Sequence, residues 1–400
     1  MVKVLRRENL ENAVTVVVGT RPGIIKFSPV IRELRKRNVP FTLVHTGQHY
    51  STEMDAVFFS DLQLPPPDIQ LPSMQSLTLH GEQTAEMLRG VERALLETRP
   101  KAILVGGDAN TNLSGALAAR KLNIQVCHDE AGLRSYDWLM PEEHNRVIMD
   151  HISEFLFAPT RDAVETLQRE CVRGSIHLTG TTSVDAVAQN RGLAEERSTV
   201  LRDLGLKRGA YILMTAHHEE TVDYRETLLS LLEGARRIAC QHRLPVVFPA
   251  HPRTRKRIQE FGLQDWLQNA GDIRLAPPLG YLDFLALHAG AALMMTDSGG
   301  GIQEACLLGV PCLTLGRATE WQGTVDVGAN LVCGTEPESM QQAAADMLSR
   351  DRSWLSPFGP PGAAARLVDV IETEVLYGEG YLPARPEQPL AACAAVKGNR

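Results

Sequence analysis

Short runs of apolar, mostly β-branched residues recur along this 400-residue chain, and between them apolar residues fall at helical spacing. Six runs occupy 14–18, 41–45, 102–105, 124–127, 155–157 and 176–178. Six more occupy 211–214, 246–248, 273–275, 292–295, 312–315 and 331–332. Strands that are apolar at every position need cover on both faces, and crossover helices supply it. The pattern predicts an α/β chain with two doubly wound parallel sheets of six strands each. Segment 25–37 reads as a helix, with Ile25, Val30, Ile31 and Leu34 on one face and a basic last turn that suits the helix dipole. Segment 77–97 presents Leu88, Val91 and Leu95 in the same way, and 226–240 and 341–348 follow the same period.

The charged segment 190–208 separates the two sets of strands. This divides the chain into an N-terminal domain, 1–190, and a C-terminal domain, 191–365. A helix over 366–382 is expected to pack back on the N-terminal domain. The Pro- and Ala-rich stretch 383–400 has no apolar period and reads as a flexible tail.

Composition narrows the classes. With 44% hydrophobic and 22% charged residues the chain reads as soluble and globular. Forty-one basic residues against 48 acidic ones give a net charge of −7, which argues against a nucleic-acid binder. No apolar stretch is long enough to span a bilayer, and the first residues lack a signal-peptide core, so a cytoplasmic location without a membrane partner is expected. The seven cysteines contain no CxxC pair, which signals neither a zinc cage nor a disulfide framework.

In parallel α/β sheets, ligands bind beyond the carboxyl ends of the strands, and here those positions are polar. The first strand runs into Gly19-Thr20-Arg21-Pro22-Gly23 and then Lys26; the third ends at Asp108 and the fourth at His128-Asp129-Glu130. In the second half, one strand ends at His217-His218 and another at Asp297-Ser298-Gly299-Gly300-Gly301, before Glu304. A glycine turn opening a helix attracts phosphate, although a plain strand-to-helix junction explains one such turn equally well. Asp108, Glu130 and Glu142 form a carboxylate set; gathered in a cleft, one of them is expected to hold a proton near neutrality. For any single member, ordinary pairing with Arg134 or Arg146 is the simpler explanation. Adjacent His217 and His218 point in different directions and lack HExxH spacing, so no metal is expected. The GxGxxG fingerprint is missing at the first turn, which counts against a nicotinamide cofactor.

Taken in order, GTRPGIIKFSPVI, HTGQHY, GGDANT, HDEAGLRS with PEEHNR, TGTTSVDA, TAHHEETVD, LGYLDFL, TDSGG and LGVPCLTL resemble the non-hydrolysing UDP-N-acetylglucosamine 2-epimerases. The resemblance runs from about Val14 to Gly334. It implies two Rossmann-like domains facing a cleft, the glycosyltransferase B arrangement. It also implies interconversion of UDP-N-acetylglucosamine and UDP-N-acetylmannosamine by loss of UDP to 2-acetamidoglucal and its re-addition, without cofactor or metal, in a homodimer. Carried over by motif, Asp108, Glu130 and Glu142 are the acid/base carboxylates, His217 assists departure of UDP, and Lys26 supports activity. Arg21 and Phe284 lie near the uracil, Ser298, Gly299 and Gly300 hold phosphate, and Glu304 holds ribose. Arg134 is assigned to substrate binding. Gln48 and His49 match a region that binds a second, activating UDP-N-acetylglucosamine in bacterial relatives.

The chain departs from the family pattern in four places. Gly23 replaces the glutamate of GTRPE, His218 replaces the arginine of HR, and Gln303 replaces the first glutamate of SGGIQEE. Trp321 and Gly323 replace the arginine and last glutamate of TERPE. The competing expectations are a hydrolysing 2-epimerase that releases free N-acetylmannosamine and UDP, a related UDP-sugar glycosyltransferase, and a binding protein without turnover.

Overall fold

The computed structural model describes residues 13–48, 58–74, 76–77, 79–277 and 279–378. Two parallel sheets organise them. The first holds β1 (Val14–Val18), β2 (Phe41–His45), β3 (Ile69–Gln70), β4 (Ala102–Gly106), β5 (Gln125–Asp129), β6 (Phe155–Ala158) and β7 (Ser175–Leu178), in the order β3-β2-β1-β4-β5-β6-β7. The second holds β8 (Ile212–Thr215), β9 (Val246–Pro249), β10 (Ile273–Ala276), β11 (Leu293–Thr296), β12 (Cys312–Thr314) and β13 (Asn330–Val332), in the order β10-β9-β8-β11-β12-β13.

Alternation within the strands shows why they are apolar throughout. Val14, Val16, Val18, Leu43 and Leu104 join one buried cluster, while Val17, Val44, Ile103 and Val105 join another across the sheet. The first cluster continues into the second half through Tyr211, Leu213, Val247 and Met294, so the two sheets share one apolar mass. The opposite face of the second sheet closes over Ile212, Met214, Val246, Phe248 and Met295.

Six strands were expected in the first half and seven are present. The extra β3 pairs only Val44 with Ile69 and His45 with Gln70, too short a run after Pro65-Pro66-Pro67 to leave a pattern. The first helix also begins earlier than its apolar period suggests, at Arg21, and runs to Lys36. Thr20 caps it by accepting from the Gly23 amide at 3.2 Å, and Pro22 sits in its first turn.

The position after residue 190 lies within the helix Thr182–Arg197, which packs against helices of both halves. At the far end, the helix Ala363–Val370 packs against the helix Arg21–Lys36 beside the first sheet and continues into the π-helical stretch Ile371–Leu376. Asp185 receives the amides of Gly362 and Ala364 at 2.5 and 2.7 Å, capping that helix, and Arg37 pairs with Asp369 and Glu372. The expected tail, 383–400, lies outside the described residues. Among the described residues no helix is long and apolar enough to cross a membrane.

Candidate active site

In each sheet the strand order reverses once, between β1 and β4 in the first and between β8 and β11 in the second. Connections leave in opposite directions at such a point and open a crevice at the strand ends. GTRPG follows β1, Gly107-Asp108 follows β4, His217-His218 follows β8 and Asp297-Ser298 follows β11, so the polar loops flank the two crevices.

On the first wall, Lys26 sits one turn into its helix and donates to Glu130 Oε2 at 2.6 Å. Glu130 directly follows β5 with a φ of 66°, a left-handed conformation that strains a residue with a Cβ. Its residue is 4% exposed, and its Oε1 has no hydrogen-bond partner among the described residues. Gly107, at φ 79°, makes room: a Cβ there would stand 3.2 Å from Glu130 Oε2. Asp108 is held by Arg146 through Nη2 at 2.7 Å and Nε at 3.1 Å. Arg146 also reaches buried Glu143 at 2.5 Å, and Glu143 accepts the amides of Ser135 and Tyr136. Glu142 lies half-exposed in the first turn of the helix Pro141–Ile152.

These environments push the carboxylates apart. Burial favours the neutral acid at Asp108, but Arg146 and Lys26 outweigh it and hold the group below the usual range. At Glu130 burial is the larger effect; it raises the pKa against the pull of Lys26, with the charge on Asp108 adding to the rise. Burial also disfavours charge on Lys26, yet Glu130 and Asp108 keep it a cation. Neighbouring carboxylates shifted in opposite directions, Asp108 down and Glu130 up, suit acid/base chemistry at carbon.

On the second wall, Asp297 Oδ2 accepts the amides of His217 and His218 at 2.8 and 2.9 Å. Its Oδ1 lies 3.3 Å from His217 Nδ1. The carboxylate lies beside this one ring nitrogen and leaves Nε2 for other partners. Burial opposes charge on His218, but Asp297, Glu142, Glu320 and Glu220 outweigh it and raise its pKa. The two histidine rings stand at 85°, yet ligand atoms of His217, His218 and Asp297 lie within 4.8 Å of one another. The trio therefore has the donors to hold a cation, contrary to the expectation that adjacent histidines diverge. Occupancy would compete with the proton favoured on His218, and Asp297 has only Oδ1 free of backbone amides.

Ser298 opens the helix Gly299–Leu308 without a side-chain cap, which leaves the first amides of the helix without intrahelical partners. These amides and the helix dipole form an anion seat. Deeper in that helix, Glu304 accepts from the Tyr281 hydroxyl at 3.1 Å and lies 3.5 Å from His288 Nδ1. Phe284 is half-buried, edge-on to His288 at 5.7 Å. Arg21 lies over the Phe58 ring at 5.5 Å.

The walls face each other. Glu320, beside Gly299, acts electrostatically on Lys26, Glu130 and Arg146, and Glu142 acts on His218. The structure thus brings Lys26, Asp108, Glu130, Glu142 and His217 to the crevice that holds the Ser298 turn. Arg134 does not join them: its guanidinium is buried on Asp150 at 2.7 Å and on Glu170 at 2.6 and 3.0 Å. Gln48 accepts from the Thr111 amide and hydroxyl at 2.9 and 2.7 Å, which ties its loop to the start of the helix Asn110–Lys121. His49 lies outside the described residues. Asp297 and Glu320 were not singled out from the sequence, although both stand inside motifs read there, and Arg146 was read only as an ordinary ion-pair partner.

The UDP-N-acetylglucosamine 2-epimerase family model matches residues 32–372. The chain is 45% identical over 359 residues to a UDP-N-acetylglucosamine 2-epimerase of Methanococcus maripaludis, covering 89% of this chain and 97% of that protein. It is 37% identical over 336 residues to the UDP-2,3-diacetamido-2,3-dideoxy-D-glucuronate 2-epimerase of Pseudomonas aeruginosa, covering 84% and 92%. The crystal structure of the Methanocaldococcus jannaschii UDP-GlcNAc 2-epimerase in complex with UDP-GlcNAc and UDP superposes with a TM-score of 0.86 at 44% identity, covering 90% of this chain and 99% of that one. With sheets, switch points and strand-end residues arranged as above, the chain belongs to the UDP-N-acetylglucosamine 2-epimerase family.

Proposed function

We propose that the protein interconverts UDP-N-acetylglucosamine and UDP-N-acetylmannosamine without hydrolysing either. The C2 proton leaves to a carboxylate as the C1–O bond breaks, giving 2-acetamidoglucal and UDP. The UDP oxygen then re-forms the bond to C1 while a proton is added to the opposite face of C2. The sequence is redox-neutral, so it needs no hydride carrier. Glu130 exchanges the proton on one face, and Asp108 or Glu142 serves the other. His217, oriented by Asp297, and the helix amides from Ser298 to Gly300 take up the charge of departing UDP. Glu304 and Phe284 receive the nucleoside.

The observation that carries this reading is Glu130: buried, strained, its pKa raised by burial, with one oxygen on Lys26 and the other without a partner among the described residues. A second UDP-2-acetamido sugar is the runner-up substrate, favoured by the likeness to the Pseudomonas enzyme, whose sugar differs. Incubation of the purified protein with UDP-N-acetylglucosamine alone, followed by NMR, tests both points. UDP-N-acetylmannosamine is expected. Free N-acetylmannosamine with UDP would make the enzyme hydrolytic, and no product would favour the other sugar.

A further inference from the structure

Glu320 stands beside Gly299, at the start of the helix Gly299–Leu308. It follows β12 in a loop anchored by its neighbours: Trp321 is 3% exposed and meets Phe358 edge-to-face at 5.4 Å, and the Trp321 amide donates to Thr319 Oγ1 at 3.2 Å. The carboxylate itself makes no hydrogen bond or ion pair with any described residue. It nevertheless presses on Gly299, the first residue of the phosphate-seat helix: a Cβ there would collide with Glu320 Oε1 and stand 3.0 Å from its Cδ. From that place it acts on Lys26 and Arg146 across the crevice and on His218 beside it. A negative charge beside a helix N-terminus, within electrostatic reach of Lys26, Arg146 and His218, resembles a phosphate in its surroundings.

We infer that Glu320 is an internal stand-in for phosphate, which a nucleotide diphosphate must displace from the start of the helix Gly299–Leu308. The anchored loop returns the carboxylate when the ligand leaves. The competition weakens diphosphate binding and favours release, and it leaves the nucleoside end of the site alone. This rests on the reading of the crevice as a UDP-sugar site.

Calorimetric titration of UDP and of uridine into the wild-type protein, Glu320→Gln and Glu320→Ala tests the inference. Both variants should bind UDP more tightly, by between about twofold and thirtyfold at low salt. The gain should shrink as salt is added, and uridine affinity should not change. Unchanged or weaker UDP binding in variants of a wild type that does bind UDP overturns the inference alone. An equal gain for uridine also overturns it, because phosphate is then not the competitor. A wild-type protein that binds no UDP removes the inference and the proposed function together.

Discussion

Asp129 and Glu130 are neighbours at the end of β5, and burial treats them as one problem with two outcomes. Asp129 is 1% exposed, accepts from the Thr182 hydroxyl at 3.1 Å, and has its other oxygen without a partner among the described residues. Burial, with the charge on Glu130 adding to it, pushes Asp129 up to about 7. An unfolded aspartate titrates near 4. Between about pH 4 and pH 7 the unfolded chain ionises this group while the folded chain keeps it neutral, so its contribution to stability falls as pH rises through that window. The cost at neutral pH is on the order of 4 kcal/mol. Asp129→Asn is therefore expected to stabilise the fold, most at pH 7.5 and progressively less toward pH 4. Urea unfolding at the two ends of that range measures it, and an equal effect at both would refute the assignment. Asp108 and Glu130 were legible in the sequence because strand ends of a parallel sheet meet ligands. The neutral state of Asp129 was not, because it depends on how deeply the neighbouring helix Thr182–Arg197 covers it. Arg134 misled for the same reason: its partner Glu170 lies 36 positions along the chain.

The strands were read almost residue for residue, since full burial on both faces leaves an unbroken apolar run. Helix starts were less legible. The apolar period of the first helix begins after its cap, and the cap is a single hydroxyl, Thr20. The loop that presents Glu130 to the crevice depends on a further local device. Gly132 has a φ of 84°, and its amide donates to Asp150 Oδ2 at 3.0 Å. A Cβ at this position would collide with the carbonyl of Ala163 in the helix Arg161–Arg169. Gly132→Ala combines a left-handed backbone with a clash against main chain, and should cost at least about 2 kcal/mol. A melting temperature lowered by several degrees, together with reduced turnover from a displaced Glu130, is the expected result. A melting temperature unchanged within one degree would show that the loop has room to give.

At the scale of the whole molecule, two switch points have to meet across a shared core. The paired sets of strands announced two sheets. Nothing in the local pattern announced the connections that hold them together, because these are long-range. Ser183 donates to Gln303 Oε1 at 3.0 Å, and Gln303 Nε2 returns to Thr181 Oγ1 at 3.3 Å, tying the helix Thr182–Arg197 to the helix Gly299–Leu308. The departure from glutamate to Gln303 supplies a donor as well as an acceptor, and both are used in this junction. The junction sets the Ser298 turn on the second half against the carboxylates on the first, the opposition that the proposed chemistry requires.

The most direct test follows the proton at C2. With UDP-N-acetylglucosamine in deuterated water and no other addition, the wild-type protein should install deuterium at C2 of both UDP-linked sugars. Glu130→Gln should slow that exchange at least about a hundredfold while still binding UDP. Epimerisation without deuterium at C2, or exchange at the wild-type rate in Glu130→Gln, would contradict the account.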